Sequence, residues 1–151
     1  MKSKIFSMLA AAGLMAASSA MAADAVVKIP ADQLAVIKKN GFICHTCHHI
    51  EGKLIGPAWM DISKKYKGQK TYAFGGDSYR DAKGKPQPAE TLSLVDGLVK
   101  KVSLGGHGGG IGDWQSDKEF AKRVPMQAND PNGKKQDAVK ELVQYMLDLS
   151  K

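Results

Sequence analysis

The sequence predicts an all-α domain, with four to five short helices joined by long irregular loops. Three observations predict it. Apolar residues recur at helical spacing in four separate segments. The connections between those segments are long and rich in Gly and Lys. No stretch shows a convincing strand alternation.

The leading stretch stands outside this domain. "MKSKIFSMLAAAGLMAASSAMA" opens with Lys2 and Lys4, continues through an apolar block from Ile5 to Ala17, and closes on Ala20-Met21-Ala22. That layout predicts a signal peptide over residues 1–22, cleaved after Ala22, and an exported domain over 23–151. The apolar block falls short of the roughly 20 residues that a spanning helix needs. No Cys follows it to carry a lipid, and no later segment reads as an integral membrane span. The expected compartment is the periplasm. The whole chain carries a formal charge of +7, and removing Lys2 and Lys4 leaves +5. Such a charge steers encounter with acidic partners, and it equally serves solubility. Nucleic acid is not an expected partner, because an exported chain without a recognisable reading motif has no means of selecting it.

The first helix spans about Asp32 to Asn40, with Leu34 and Ile37 on one face, Asp32 in the first turn and Gly41 as its stop. The second follows "GPAW". Pro57 suits the first helical position, Trp59, Ile62 and Tyr66 repeat at helical spacing, and Gly68 ends it. Gln69 to Glu90 reads as an irregular surface loop. The third helix covers about Thr91 to Ser103, with Leu92, Val95, Val99 and Val102 on one side and Gly105-Gly106 after it. A long connection runs from Gly105 to Asp130, and Ser116 with Glu119 has the spacing of a capping box for one short helix inside it. Loops of this length in a compact domain are usually functional. The last helix carries Val139, Leu142, Val143, Met146 and Leu147 in the i, i+3, i+4, i+7, i+8 pattern of a core-facing face. Four short helices make a thin core, and a buried prosthetic group would supply the missing apolar mass.

"GFICHTCHHI", residues 41–50, holds both cysteines and three of the four histidines. An oxidising compartment favours disulfides, but a bridge from Cys44 to Cys47 would close a tiny loop and staple nothing. Three chemistries could use the cluster. A structural zinc site needs four ligands, usually as two separated pairs. Cys44, Cys47 and one adjacent histidine give three, and His107 as a fourth has no partner nearby. A thiol redox pair belongs at the start of a helix in a βαβ setting, whereas this motif follows a helix. Cys-x-x-Cys-His, here Cys44 to His48, is the attachment motif of c-type haem. Two thiols reach the two vinyl groups of the porphyrin, and the next imidazole turns to the iron. His45 is then a spacer, and His49 a weaker competitor for the iron. The expected cofactor is one haem c, attached through Cys44 and Cys47 with His48 on the metal.

A second axial ligand decides between electron transfer and small-molecule chemistry. Met60 lies too soon after His48 to pass to the opposite haem face. Met146 belongs to the apolar stripe of the last helix. Met126 sits in "VPMQAN", in a loop far from His48 and outside any apolar stripe, and is the expected metal ligand. His107, in "GGHGGG", is the rival. A thioether raises the potential, as in electron-transfer cytochromes.

These segments resemble the small bacterial class I cytochromes c of the c-551 type. The helix before "CHTCH", "IGPAW", "VPMQAN" and the last helix occur in the family's order. The resemblance implies the class I cytochrome c fold, with short helices wrapped around one covalently bound haem c. It implies that the Pro57 carbonyl accepts the Nδ1 proton of His48, a bond that fixes the imidazole tautomer. It implies that Asn129 bonds near the Met126 sulfur, that Trp114 contacts a haem propionate, and that the first and last helices cross with Gly41 or Phe42 near Tyr145. Two departures stand out: "QSDKEFAKR" separates Trp114 from Met126, and 69–90 exceeds the family norm. The implied function is single-electron transfer between respiratory redox partners by a carrier rather than an enzyme, as a monomer or in transient complexes. Lys53, Lys118, Lys122, Arg123 and Lys135 are candidates for docking on acidic partner surfaces. The alternatives are a haem subunit permanently docked in a larger periplasmic oxidoreductase, and a haem enzyme or gas sensor with an open sixth site.

Overall fold

The computed structural model describes residues 26–107 and 125–151. The signal-peptide reading of 1–22, Trp114, the Ser116/Glu119 helix, Lys118, Lys122 and Arg123 all lie outside the described residues. Five helices and one two-stranded sheet make up the described part: α1 Ala31–Lys39, α2 Cys44–Cys47, α3 Trp59–Tyr66, β1 Thr71–Arg80, β2 Pro86–Ser93, α4 Leu94–Leu104 and α5 Gln136–Asp148.

α1 ends as its sequence dictates. Asn40 caps it, and Gly41 turns the chain away at φ +67°, a conformation that costs Gly little. Ile37, fully buried, anchors this helix to the core. α3 begins two residues later than Pro57, which stands outside the helix, while Ala58 is the capping residue. The Ser63 hydroxyl donates to the carbonyl of Leu147 at 2.8 Å, and the Lys67 ammonium donates to the carbonyl of Ser150 at 2.6 Å. These bonds tie α3 to the end of α5. α5 buries Val139, Leu142, Val143 and Met146, the stripe its sequence displays. A buried carboxylate prepares its start: Asp130 accepts from the backbone N–H of Lys134 and of Lys135, both at 2.9 Å, and from the Gln136 amide. A carboxylate there also suits the positive end of the helix dipole.

The all-α expectation is corrected by β1 and β2. They form an antiparallel hairpin with Thr71 opposite Ser93 and Phe74 opposite Glu90. The region read as an irregular loop therefore has regular backbone pairing. Tyr72 and Phe74 alternate inward, a bulge at Gly75-Gly76 resets the register, and Tyr79 again points into the core. At Gly75 a Cβ would stand 1.9 Å from the Pro88 carbonyl oxygen, so only Gly admits this approach. The turn is closed by Asp81, whose side chain accepts from the N–H of Lys83 and of Lys85. These bonds and the adjacent backbone hold the Asp81 carboxyl below its ordinary range.

The hairpin displaces the expected start of the third helix. Thr91 to Ser93 finish β2, and α4 begins at Leu94 with the Ser93 hydroxyl accepting from the Asp96 N–H at 3.1 Å. The buried face follows: Leu94, Leu98 and Val99 are buried, while Val95 and Val102 are partly so. β1 lies against this helix at Gly97, where a Cβ would come within 2.6 Å of Tyr72 Cβ.

Candidate functional site

The Cys/His segment folds locally into one helical turn. The Thr46 hydroxyl donates to the Ile43 carbonyl at 2.6 Å, and the His48 N–H donates to the Cys44 carbonyl at 2.9 Å. The chain then becomes extended at His48, φ −128° and ψ 143°, and its imidazole leaves the turn. Two further contacts fix that ring. Nδ1 donates to the Pro57 carbonyl at 2.7 Å, since a carbonyl can only accept, and this leaves the lone pair on Nε2. Gly56 packs flat against the ring: a Cβ there would lie 2.4 Å from His48 Cε1 and 2.9 Å from Nδ1. The Gly56 N–H is itself held by the Cys47 carbonyl at 2.7 Å.

These residues border a cleft of about 660 Å³, counting its solvent-open mouth. Cys44, Cys47 and His48 lie along one border. Trp59 and Ile62 of α3, Val102 of α4, and Leu142, Val143 and Met146 of α5 form apolar walls. Met126, Gln127 and Asn129 also line it, with Phe42, Ile43 and Val139. His45 and His49 are not among the lining residues. Neither is His107, which is exposed where it pairs with Arg80. Among the described residues, no three His, Cys, Asp or Glu side chains gather into a metal-binding group.

The electrostatics suit neither a thiol exchanger nor a charged histidine. Burial pushes the Cys44 thiol up to about 11, and its backbone hydrogen bond only partly opposes this. Exchange-active thiols have the opposite shift. Burial also lowers the His48 pKa, against the bond to Pro57, which raises it. The ring lies deep among protein atoms yet keeps an accessible face on the cleft, and a neutral imidazole is the form that binds metal. Two thiols on one turn, a neutral imidazole cradled by a glycine, and apolar walls fit a flat macrocycle attached along one border.

Met126 reaches the cleft through backbone pairing. Its N–H donates to the Gly106 carbonyl at 3.3 Å, and its carbonyl accepts from the Gly106 N–H at 2.7 Å. Asn129 connects this segment to the Cys/His turn. Its Oδ1 accepts from the Ile43 N–H at 3.2 Å and lies 3.9 Å from Cys44 Sγ, while Nδ2 donates to the Gln127 carbonyl at 3.1 Å. The Asn129 amide thus bonds backbone on both of its ends. Lys135 is committed as well: its ammonium donates to the Asn40 carbonyl and lies 5.7 Å from the Phe42 ring centre. Tyr145 meets Trp59 edge-on at 6.2 Å between ring centres.

Sequence reasoning overlooked four contributors. Gly56 carries no side chain to notice. Trp59 and Ile62 read as core residues of a helix, and their face borders the cleft. Met146 likewise reads as core, and it is buried yet lines the cavity. The GPAW context was the one available signal for the first.

No protein-family model matches the chain. It is similar to cytochrome c2 of Rhodocyclus tenuis, 33% identical over 119 residues, covering 79% of this chain and 94% of that protein. It is similar to cytochrome c-551 of Allochromatium vinosum, 30% identical over 96 residues, covering 64% of this chain and 65% of that one. Cytochrome c-552 of Hydrogenobacter thermophilus is 29% identical over 118 residues, covering 78% and 80%. Among solved structures, the cytochrome c552 of Nitrosomonas europaea superposes with a TM-score of 0.45 at 23% identity, covering 77% of this chain and 98% of that one.

Proposed function

Because the chain belongs to the small class I monohaem cytochromes c, we propose that it is an exported carrier of single electrons with one His/Met-ligated haem c. Cytochromes c are electron carriers that hold their haem covalently, and Cys44, Cys47 and His48 fit the attachment motif. In this reading Cys44 and Cys47 would hold the porphyrin, and His48 and Met126 would bind its iron. The bound haem supplies an iron that moves between its ferrous and ferric states.

The protein's own residues set how that iron behaves. The Pro57 carbonyl fixes the His48 tautomer and makes Nε2 a stronger donor. Gly56 lets the ring sit against the backbone without rotating. Trp59, Leu142 and Val143 exclude water from the cleft. A Met126 thioether favours the ferrous state and raises the potential. The leader over residues 1–22 directs the protein to the periplasm. Basic residues, Lys53 among them, favour redox partners with acidic surfaces in transient complexes. Among the described residues, no helix is long and apolar enough to cross a membrane.

The observation that carries this reading is the junction at Asn129, which brings the Met126 segment onto the same cleft as the Cys/His turn. Visible spectroscopy of the oxidised holoprotein tests it. Wild type and Met146→Leu should both show the long-wavelength Met–iron charge-transfer band, and Met126→Ala should lose it. A band that is absent from wild type, or that survives in Met126→Ala, contradicts the ligand assignment.

A further inference from the structure

The hairpin has no counterpart in the expected helical plan, and its far end reaches the ligand side of the cleft. Arg80, the last residue of β1, pairs with His107: its N–H donates to the His107 carbonyl at 2.9 Å, and its carbonyl accepts from the His107 N–H at 3.0 Å. One residue earlier, Gly106 pairs with Met126 in the same two-bond manner. Three stretches of chain therefore run side by side, with the Gly105–His107 segment in the middle.

That middle segment is gripped on both sides. Gly106 has φ +78°, and a Cβ there would lie 1.9 Å from the Arg80 carbonyl oxygen and 2.6 Å from the Asp81 carbonyl carbon. Gly105 has φ +65°, and a Cβ there would lie 2.4 Å from the Met126 carbonyl oxygen and 2.6 Å from the Ala128 nitrogen. One glycine touches the hairpin and the next touches the Met126 loop. The Gly105–His107 spacer is therefore packed tightly against both neighbours.

Tyr79 locks the spacer from below. Its hydroxyl donates to the Gly105 carbonyl at 2.6 Å, and the residue is fully buried. Phe74 holds the ring from one direction, 4.7 Å between ring centres, and the Lys101 ammonium lies 4.5 Å from the ring centre. Burial holds its hydroxyl pKa far above the ordinary range, so the proton stays available for donation. Among the described residues Tyr79 is the donor to the buried Gly105 carbonyl, and its loss removes that bond.

We propose that the β1–β2 hairpin is a brace that positions Met126 toward the iron, and that Tyr79 is its positioning residue, acting through Gly105 and Gly106. The proposal rests on Met126 being the axial ligand. It assigns a role in ligand retention to a segment that the family resemblance leaves unexplained.

The test compares Tyr79→Phe with Ser63→Ala in the oxidised holoprotein. Ser63 bonds α3 to Leu147 and Ser150 and takes no part in the Arg80–His107 and Gly106–Met126 pairings, so its loss controls for general destabilisation. The readout is the rate at which imidazole displaces the methionine, followed by loss of the charge-transfer band. Tyr79→Phe should raise that rate about tenfold, the consequence of one lost buried hydrogen bond, while Ser63→Ala should leave it within about twofold. Equal acceleration in both variants, or none in Tyr79→Phe, overturns the proposal while the Met126 assignment stands. A wild-type protein without the band removes the ligand assignment, and the brace with it. Hydrogen exchange in the wild type provides a measurement that needs no variant. The Arg80, Gly106, His107 and Met126 amides should exchange as one cooperative unit. Independent, much faster exchange of Gly106 and Met126 than of Arg80 and His107 would refute the brace.

Discussion

The two sides of the cleft are built in different ways. The His48 side is one short, nearly continuous run of chain from Phe42 to Trp59. His48 and its acceptor Pro57 are nine residues apart, and the intervening Gly56 is fastened to Cys47. The Met126 side is assembled from three separated stretches: the end of β1, the Gly105–His107 spacer and the loop from Met126 to Asp130. A local cradle forms as soon as its own turn forms. A composite one needs the hairpin, α4 and the loop all in place. The difference teaches where the site can give: under the proposed ligation, a ligand would be lost at Met126 and the cofactor's seat at His48.

The largest effect should come from crowding the local cradle. Gly56→Ala places a Cβ within 2.4 Å of His48 Cε1, while the ring is tied to Pro57 and cannot simply retreat. Overpacking of this kind costs about 1–3 kcal/mol. Holoprotein yield should fall several-fold, and the thermal midpoint of what remains should drop, measured by the haem absorbance and by calorimetry. Wild-type yield and midpoint would show that the cradle is softer than its geometry states.

A smaller effect should come from cutting the link between the two sides. Asn129→Ala removes the acceptor for the Ile43 N–H and the donor to the Gln127 carbonyl. At about 1 kcal/mol for each such bond, chemical denaturation should show a loss of about 1–2 kcal/mol. Imidazole should also enter faster, because the loop is released from the Cys/His turn. An unchanged entry rate with the same stability loss would mean that the two sides are mechanically independent.

The sequence was legible where its signals are local. The Cys/His motif, the Gly41 stop and the α5 stripe each depend on neighbouring residues, and four of the five stripe residues of α5 are buried while Leu147 is partly so. The hairpin was not legible for a physical reason. Gly75-Gly76 breaks the alternation of Tyr72 and Phe74, and Pro86 and Pro88 argue against a strand, although two-stranded edges tolerate proline. The aromatic alternation of Tyr72 and Phe74 and the Asp81-to-Lys85 turn are the signals the sequence does carry for the hairpin. Because β2 runs through Ser93, α4 starts three residues later than its apolar periodicity suggests; Val99 is buried and Val95 and Val102 pack against the core as that periodicity predicts, while Leu94 and Leu98 widen the buried face. The Asn129 contact to Ile43 joins residues 86 positions apart, and no local pattern announces it. Trp59 and Met146 illustrate a subtler limit. Periodicity says that a side chain faces inward, but not whether it meets protein or a cleft.

The most direct test of the account is a methyl spectrum of the reduced, diamagnetic holoprotein with labelled methionine. A methyl group bound over the macrocycle experiences its ring current and is shifted far upfield of the others. The account predicts one such methyl, lost in Met126→Ala and retained in Met146→Leu. An upfield methyl that belongs to Met146, or none at all, would contradict it.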